Sequence, residues 1–144
     1  MNVLDVLKAL GVAVLTLIIT LAASFPMVAF YAYVIEPGHP QSFYNDAALW
    51  IAPWSSHILG PLVFFAFNFW LARRAPKRNA FLFAVATVAL YIVVDFGTLP
   101  LMGIDIRTAF TLSMGFWLSV KLIGALLGAY LGAKKRMPAA EAVA

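Results

Sequence analysis

The stretch LGVAVLTLIITLAASFPMVAFYAYV, residues 10–34, is a long apolar run without a single charged side chain. A helix that crosses the hydrocarbon core of a bilayer needs about 20 predominantly apolar residues, so this run is long enough to span. The sequence LAAS (21–24) resembles a signal-peptide cleavage site, but the apolar run continues well past it. The stretch therefore predicts an uncleaved first membrane span.

Three further apolar runs follow, and they predict spans at about 53–71, 80–100 and 108–132. No repeat is evident, which indicates one domain. We therefore predict an all-α integral membrane protein, a four-transmembrane-helix bundle over residues 1–136, followed by a disordered tail at 137–144.

The connections differ in length. RRAPKRN (73–79) is short, so the second and third spans are predicted to be antiparallel neighbours. The connection after the first span is the longest, and within it SFYNDAALW (42–50) predicts a short interfacial helix capped by Ser42.

Composition excludes an ordinary soluble domain. The chain is 64% hydrophobic and only 11% charged, whereas soluble domains are about 25% charged. The formal charge of +4 does not predict a nucleic-acid partner, because the basic residues cluster at the ends of apolar runs. The absence of cysteine excludes disulfides and thiolate metal sites, and no cofactor is predicted.

The basic residues predict the orientation. One side of the predicted bundle carries Lys8, Arg73, Arg74, Lys77, Arg78, Lys134, Lys135 and Arg136. The other side carries Arg107 together with Glu36, Asp46 and Asp105. By the positive-inside rule, both termini and the middle turn are predicted to be cytoplasmic, in a plasma (inner) membrane.

Ionisable side chains within the predicted spans are His57, Asp95 and Lys121. At a rise of 1.5 Å per residue, the first two lie about 24 Å, and Lys121 about 20 Å, from the cytoplasmic ends of their helices. Ser24 lies at the same depth on the first span. A charge near a helix centre costs about 2.5–3.5 kcal/mol to insert, so such residues are candidates for function.

Helical spacing places other polar residues beside this layer. Tyr91 lies one turn before Asp95, in a stripe that also includes Thr87 and Thr98. In SSHILGP (55–61), Pro61 leaves the carbonyl of His57 without its helical donor, so this segment is predicted to be locally open. The candidate ligand- or proton-binding residues are His57, Asp95, Lys121, Ser24, Ser56 and Tyr91.

Glycines recur on the fourth span at Gly124, Gly128 and Gly132. This double G-x-x-x-G pattern predicts close helix packing, either inside the bundle or in a homo-oligomer through the fourth helix.

Each polar candidate also has a structural interpretation. Asp95 and Lys121 would form an ion pair that fixes two helices, or else part of a functional site. His57 would be a neutral side chain hydrogen-bonded to a serine or to Asp95, or else a proton carrier. His57, Asp95 and the distant His39 are too dispersed to predict a metal site.

Three functions fit these observations. The first is binding or transport of a small polar solute or of protons by the intramembrane polar layer. The second is an accessory subunit of a larger membrane complex, in which the buried polar groups serve assembly. The third is a membrane-embedded enzyme acting on a lipid or quinone, with His57 and Asp95 in acid–base roles. No catalytic motif accompanies these residues, and the sequence favours the first function.

Overall fold

The computed structural model describes residues 1–75, 77–100 and 111–135. Within these ranges all regular secondary structure is helical, and four of the helices are long and apolar enough to cross a membrane, as predicted. They are α1 (Val3–Phe30), which continues as a π-helical turn (Tyr31–Ile35), α2 (Gln41–Arg74), α3 (Ala80–Thr98) and α4 (Leu112–Lys134). The predicted features that lie outside the described residues are the first part of the fourth span (108–110), Asp105, Arg107, Arg136 and the tail (137–144).

The predicted interfacial helix and second span form one continuous helix, α2. It begins at Gln41 after Pro40 without a side-chain cap, so the predicted cap at Ser42 is not formed. Pro53 lies inside the helix rather than at its start. A proline within a membrane helix is tolerated where neighbouring helices and serine or threonine side chains satisfy the freed backbone groups. Here the Ser55 hydroxyl lies 2.7 Å from the Thr20 carbonyl oxygen of α1 and can donate to it.

The other three helices have capped N-termini. At the start of α1, the Asp5 N–H donates to the Asn2 side chain at 2.9 Å, and the Asn2 N–H donates back to the Asp5 carboxylate at 3.3 Å. Asn79 caps α3 by accepting from the N–H of Leu82, and Thr111 caps α4 in the same way. These side chains satisfy amide groups that a helix start leaves unpaired.

One end of the bundle, which we call the charged end, gathers the starts of α1 and α3 and the ends of α2 and α4. Its basic residues within the described ranges are Lys8, Arg73, Arg74, Lys77, Arg78, Lys134 and Lys135. Arg78 is the buried one: it contacts Asp5 at 3.5 Å, donates to the carbonyl of Leu71 at 3.0 Å and lies 3.7 Å from the ring centroid of Phe83. Burial lowers the pKa of its guanidinium, and the Asp5 carboxylate opposes that shift.

The helices differ in length toward the opposite, far end. α1 with its π-helical turn, and α2, are each about 50 Å long, whereas α3 measures about 28 Å. Because the helices are aligned at the charged end, α1 and α2 project beyond α3 at the far end. Their hairpin is closed by Tyr44, whose hydroxyl donates to the Glu36 carbonyl at 2.8 Å and accepts from the His39 N–H at 3.0 Å.

The glycines of α4 pack against the backbone of α2 in the same chain. A Cβ atom added at Gly124 would lie 2.5 Å from the carbonyl oxygen of Pro61. At Gly128 and Gly132 an added Cβ would lie still closer to carbonyl oxygens, those of Phe65 and Phe69. Of the two predicted uses of this ridge, the described structure shows packing inside the bundle. We call this contact the α2–α4 seam.

Candidate functional site

Lys121 lies at the end of the α2–α4 seam and is only 4% exposed. Its Nζ donates to Ser56 Oγ at 2.8 Å and to the Tyr91 hydroxyl at 3.1 Å. The ammonium also lies 4.6 Å from the centroid of the Tyr91 ring. One buried cation of α4 is therefore held by hydroxyl groups of α2 and α3.

Gly60 makes room for the Lys121 side chain. A Cβ at position 60 would lie 2.9 Å from Cε of Lys121, so the lysine stem crosses α2 where that helix has no side chain. Gly60 was not among the residues that the sequence singled out. The available signal was a glycine one turn after Ser56 on the same helix.

Asp95 and Lys121 do not form a direct ion pair. The nitrogen–oxygen ion pairs within 4.0 Å among the described residues are His39–Glu36 and Arg78–Asp5. Asp95 instead interacts with the hydroxyl of Tyr91 and, over a longer distance, with the charge of Lys121. Tyr91 thus stands between the two charged groups.

A cavity of about 300 Å³ lies between α1, α2 and α3. Four of the predicted site residues line it: Ser24, Ser56, Tyr91 and Asp95. Other polar lining residues, which the sequence did not single out as site residues, are Thr20, Ser55 and Thr98, and the apolar ones are Leu17, Leu21 and Ala52. We call this space the polar cavity. Lys121 lies behind Ser56 and Tyr91.

The polar cavity adjoins a second cavity that leads to the far end. This second cavity, of about 620 Å³, shares Ser24 and Ala52 with the first. It is also lined by Tyr44 and His39 of the hairpin that closes the far end. In the opposite direction, Tyr91 packs edge-on against Phe64 at 5.3 Å between ring centroids, and both rings are almost fully buried. The polar cavity therefore borders the second cavity on the side of the far end, and the packed rings of Tyr91 and Phe64 close it on the side of the charged end.

Most hydroxyl groups around the polar cavity direct their hydrogen at backbone carbonyls of their own helix or of α1. Thr20 lies within 3.0 Å of the Thr16 and Leu17 carbonyls, and Ser24 lies 2.6 Å from that of Leu21. Ser55 has the carbonyls of Thr20 and Ala52 within 2.8 Å, and Thr98 has that of Asp95 at 2.7 Å. These groups therefore offer acceptor lone pairs to the cavity.

His57 lies apart from the polar cavity. Its imidazole stacks on Trp117 of α4 at 4.5 Å and an interplanar angle of 4°, with Trp54 edge-on at 6.0 Å. Nδ1 is buried and has no hydrogen-bond partner in the described part of the chain, so neither predicted partner, a serine or Asp95, contacts it. His57 shares a depth with Ser56, but the next position on a helix points about 100° away.

A second polar group lies nearer the charged end. The Asn68 amide donates to the Phe64 carbonyl at 2.9 Å and to Thr87 Oγ1 at 3.3 Å. Asn68 and Thr87 are both fully buried, and Asn68 Oδ1 has no partner in the described ranges. This contact joins α2 to the polar stripe that was predicted on the third span.

The described residues do not bring three histidine, aspartate or glutamate side chains together in a group that could hold a metal ion. Comparison with protein-family models, with curated proteins and with solved structures finds no match to this chain.

Proposed function

We propose that this protein is a multi-pass membrane protein that binds a small polar solute in the polar cavity. The observation that carries the proposal is the cavity itself: about 300 Å³ lined by Asp95 and a ring of hydroxyl groups, with the buried charge of Lys121 directly behind. Concave sites with mostly apolar walls and a few converging polar groups are typical ligand sites. Keeping two ionisable groups within a membrane span is costly and favours a working role.

The proposed orientation places both termini and the charged end in the cytoplasm, in a plasma (inner) membrane. It is supported by the basic residues of the charged end, since the positive-inside rule counts lysine and arginine near the ends of spans. The far end and its cavity then face away from the cytoplasm. Solute would enter between α1 and α2, past Ser24 and Ala52.

Cysteine scanning tests both the cavity and the orientation, because the natural chain contains no cysteine. Ala52→Cys puts one thiol where the two cavities meet. We expect a charged, membrane-impermeant thiol reagent added outside intact cells to modify it, since a thiol needs water to ionise and react. The readout is the mass shift of the purified protein.

Three further positions serve as matched controls. Val93→Cys, on a side chain that is 67% exposed and does not line either cavity, should stay unmodified because lipid covers it. Tyr33→Cys at the far end should react from outside, and Lys77→Cys at the charged end only after permeabilisation. An unreactive Ala52→Cys beside a reactive Tyr33→Cys would overturn the solute cavity. External reaction of Lys77→Cys would overturn the orientation.

A further inference from the structure

We infer that the solute of the polar cavity is a small organic cation that carries an ammonium group and binds at Asp95. This inference rests on the proposed function, that the cavity binds a solute, and it adds the chemical class. Three features support it: the hydrogen bonds of the lining residues, the partners of the two charged side chains, and the size and walls of the cavity.

The lining presents acceptors and few donors. A hydroxyl group has one hydrogen, and those of Thr20, Ser24, Ser55 and Thr98 point at backbone carbonyls. Each of these oxygens keeps only lone pairs for a ligand. The Asp95 carboxylate is ionised or a single-proton donor, and when ionised it accepts only. A ligand that donates several hydrogen bonds therefore fits this lining, and one that only accepts does not.

Two hydroxyl groups that line the cavity already bind one ammonium group, that of Lys121. Lys121 donates to the oxygens of Ser56 and Tyr91, which shows that hydroxyl groups at this level accept from a cation. Lys121 does not itself line the polar cavity, whereas Asp95 does. In the described part of the chain, no cationic nitrogen lies within 4.0 Å of the Asp95 carboxylate. Among the described residues the Tyr91 hydroxyl is the hydrogen-bonding neighbour of this carboxylate, which keeps further lone pairs for a donor, and an anion would meet it as a like charge.

The size and walls of the cavity favour an organic cation. One water molecule occupies about 30 Å³ in the liquid, so a cavity of about 300 Å³ takes a molecule of several heavy atoms. Leu17, Leu21 and Ala52 give it an apolar wall beside the polar one. A short alkyl chain with an ammonium head matches both walls.

Three probes of similar size and different charge test this inference: propylammonium, propanol and propionate. The first measurement is the rate at which the impermeant reagent modifies Ala52→Cys in the presence of each probe. A ligand at ten times its dissociation constant that covers the thiol slows the reaction about tenfold. We expect protection by propylammonium and none by propionate. The second measurement is the melting temperature of the natural chain in detergent, which propylammonium should raise saturably.

Asp95→Asn should abolish the stabilisation by propylammonium, while Asp46→Asn, on an exposed side chain outside the cavity, should leave it intact. If Asp95→Asn does not fold, the protection of Ala52→Cys by the three probes still tests whether the solute is an ammonium compound. If propanol or propionate protects the thiol as well as propylammonium does, or if no probe protects it, the solute is not an ammonium compound. The proposed solute cavity is still supported in that case, provided that Ala52→Cys reacts with the reagent. An unreactive Ala52→Cys would overturn the proposed function itself.

Discussion

Lys121 keeps its charge in the interior by bonding to hydroxyl groups rather than to a carboxylate. Hydrogen bonds from a charged donor contribute about 1.5–3 kcal/mol each, roughly twice the value for neutral pairs. Ser56 and Tyr91 each accept one such bond, from different helices. The lysine therefore stabilises the bundle through two neutral partners, and Asp95 is not needed for direct contact.

Ser56→Ala tests this account at the scale of one residue. Removing the hydroxyl leaves one N–H of a buried ammonium unpaired, and we expect a loss of about 1.5–3 kcal/mol in the free energy of unfolding. Denaturant unfolding in detergent measures it. Ser119→Ala is the matched control, because the exposed Ser119 hydroxyl bonds only within α4, and it should stay within about 0.5 kcal/mol of the natural chain. Equal effects of the two substitutions would contradict the role of Ser56.

Gly60→Ala tests the path of the lysine stem. The added Cβ would stand 2.9 Å from Lys121 Cε, and we expect a cost of about 1–3 kcal/mol as the side chain is displaced from its partners. In a Lys121→Ala background the same change should be neutral or stabilising, because the clash is gone and alanine favours the helix. Gly97→Ala, where an added Cβ meets nothing within 4 Å, is the control in both backgrounds. If Gly60→Ala still lowers the free energy of unfolding in the Lys121→Ala background, the loss of stability does not come from a clash with the lysine side chain.

At the scale of helices, the α2–α4 seam is a backbone contact. Gly124, Gly128 and Gly132 bring α4 so close to α2 that carbonyl oxygens fill the space of side chains. In a membrane, where lipid tails are as apolar as leucine, such close packing replaces the hydrophobic effect as a force between helices. The seam also sets the height at which Lys121 meets Ser56.

Gly128→Ala should therefore open the seam. We expect a loss of about 1–3 kcal/mol, since the clash is with rigid backbone of α2 at Phe65. Gly115→Ala lies on the same helix with open space around it and should instead stabilise by up to about 1 kcal/mol through helix propensity. Melting temperatures in detergent compare the two. The prediction fails if Gly128→Ala melts at or above the temperature of the natural chain.

At the scale of the whole molecule, Arg78 connects the start of the chain to its middle. Its guanidinium contacts Asp5 of α1, the last turns of α2 and a ring of α3, so one side chain joins three helices at the charged end. In the sequence, Arg78 is one of several basic residues that predict the orientation. Its burial, rather than its charge alone, distinguishes it from its neighbours.

Arg78→Ala should destabilise the protein by about 2–4 kcal/mol, because it removes the cation from Asp5. The Asp5 side chain is 18% exposed and keeps only the Asn2 N–H as a partner in the described part of the chain, and the substitution also removes the contact with the Phe83 ring. Lys77→Ala, at an exposed neighbouring position, removes the same charge and should change the free energy of unfolding by less than about 0.5 kcal/mol. Denaturant unfolding of both variants in the same detergent gives the comparison. Similar values for the two would show that Arg78 acts only through net charge.

Much of this architecture follows from periodicity and depth. Apolar run length predicted the four helices. Counting residues from the charged end placed Ser24 and Asp95 at a common depth, helical spacing added Tyr91, and the SSHILGP stretch added Ser56; one cavity is lined by all four. Depth does not determine which neighbour a helix face meets. His57 therefore shared the predicted layer and yet lies against Trp117, outside the cavity.

Other features depend on contacts that no local pattern contains. A proline commonly marks a helix boundary, but α2 continues through Pro53, close to the position where Ser55 contacts α1. The role of Gly60 depends on a lysine that approaches from α4, far along the chain. Such pairings between distant segments become visible only once the helices are packed.

The α2–α4 seam has a consequence for biosynthesis. It joins α2 to α4, so a nascent chain that has inserted α1, α2 and α3 still lacks the helix that packs against the carbonyl oxygens of Pro61, Phe65 and Phe69. Lys121 arrives only when α4 leaves the ribosome and its glycines dock. Until then Ser56 and Tyr91 lack the ammonium of Lys121, so the hydrogen bonds that join α4 to α2 and α3 form only in a chain synthesised through α4.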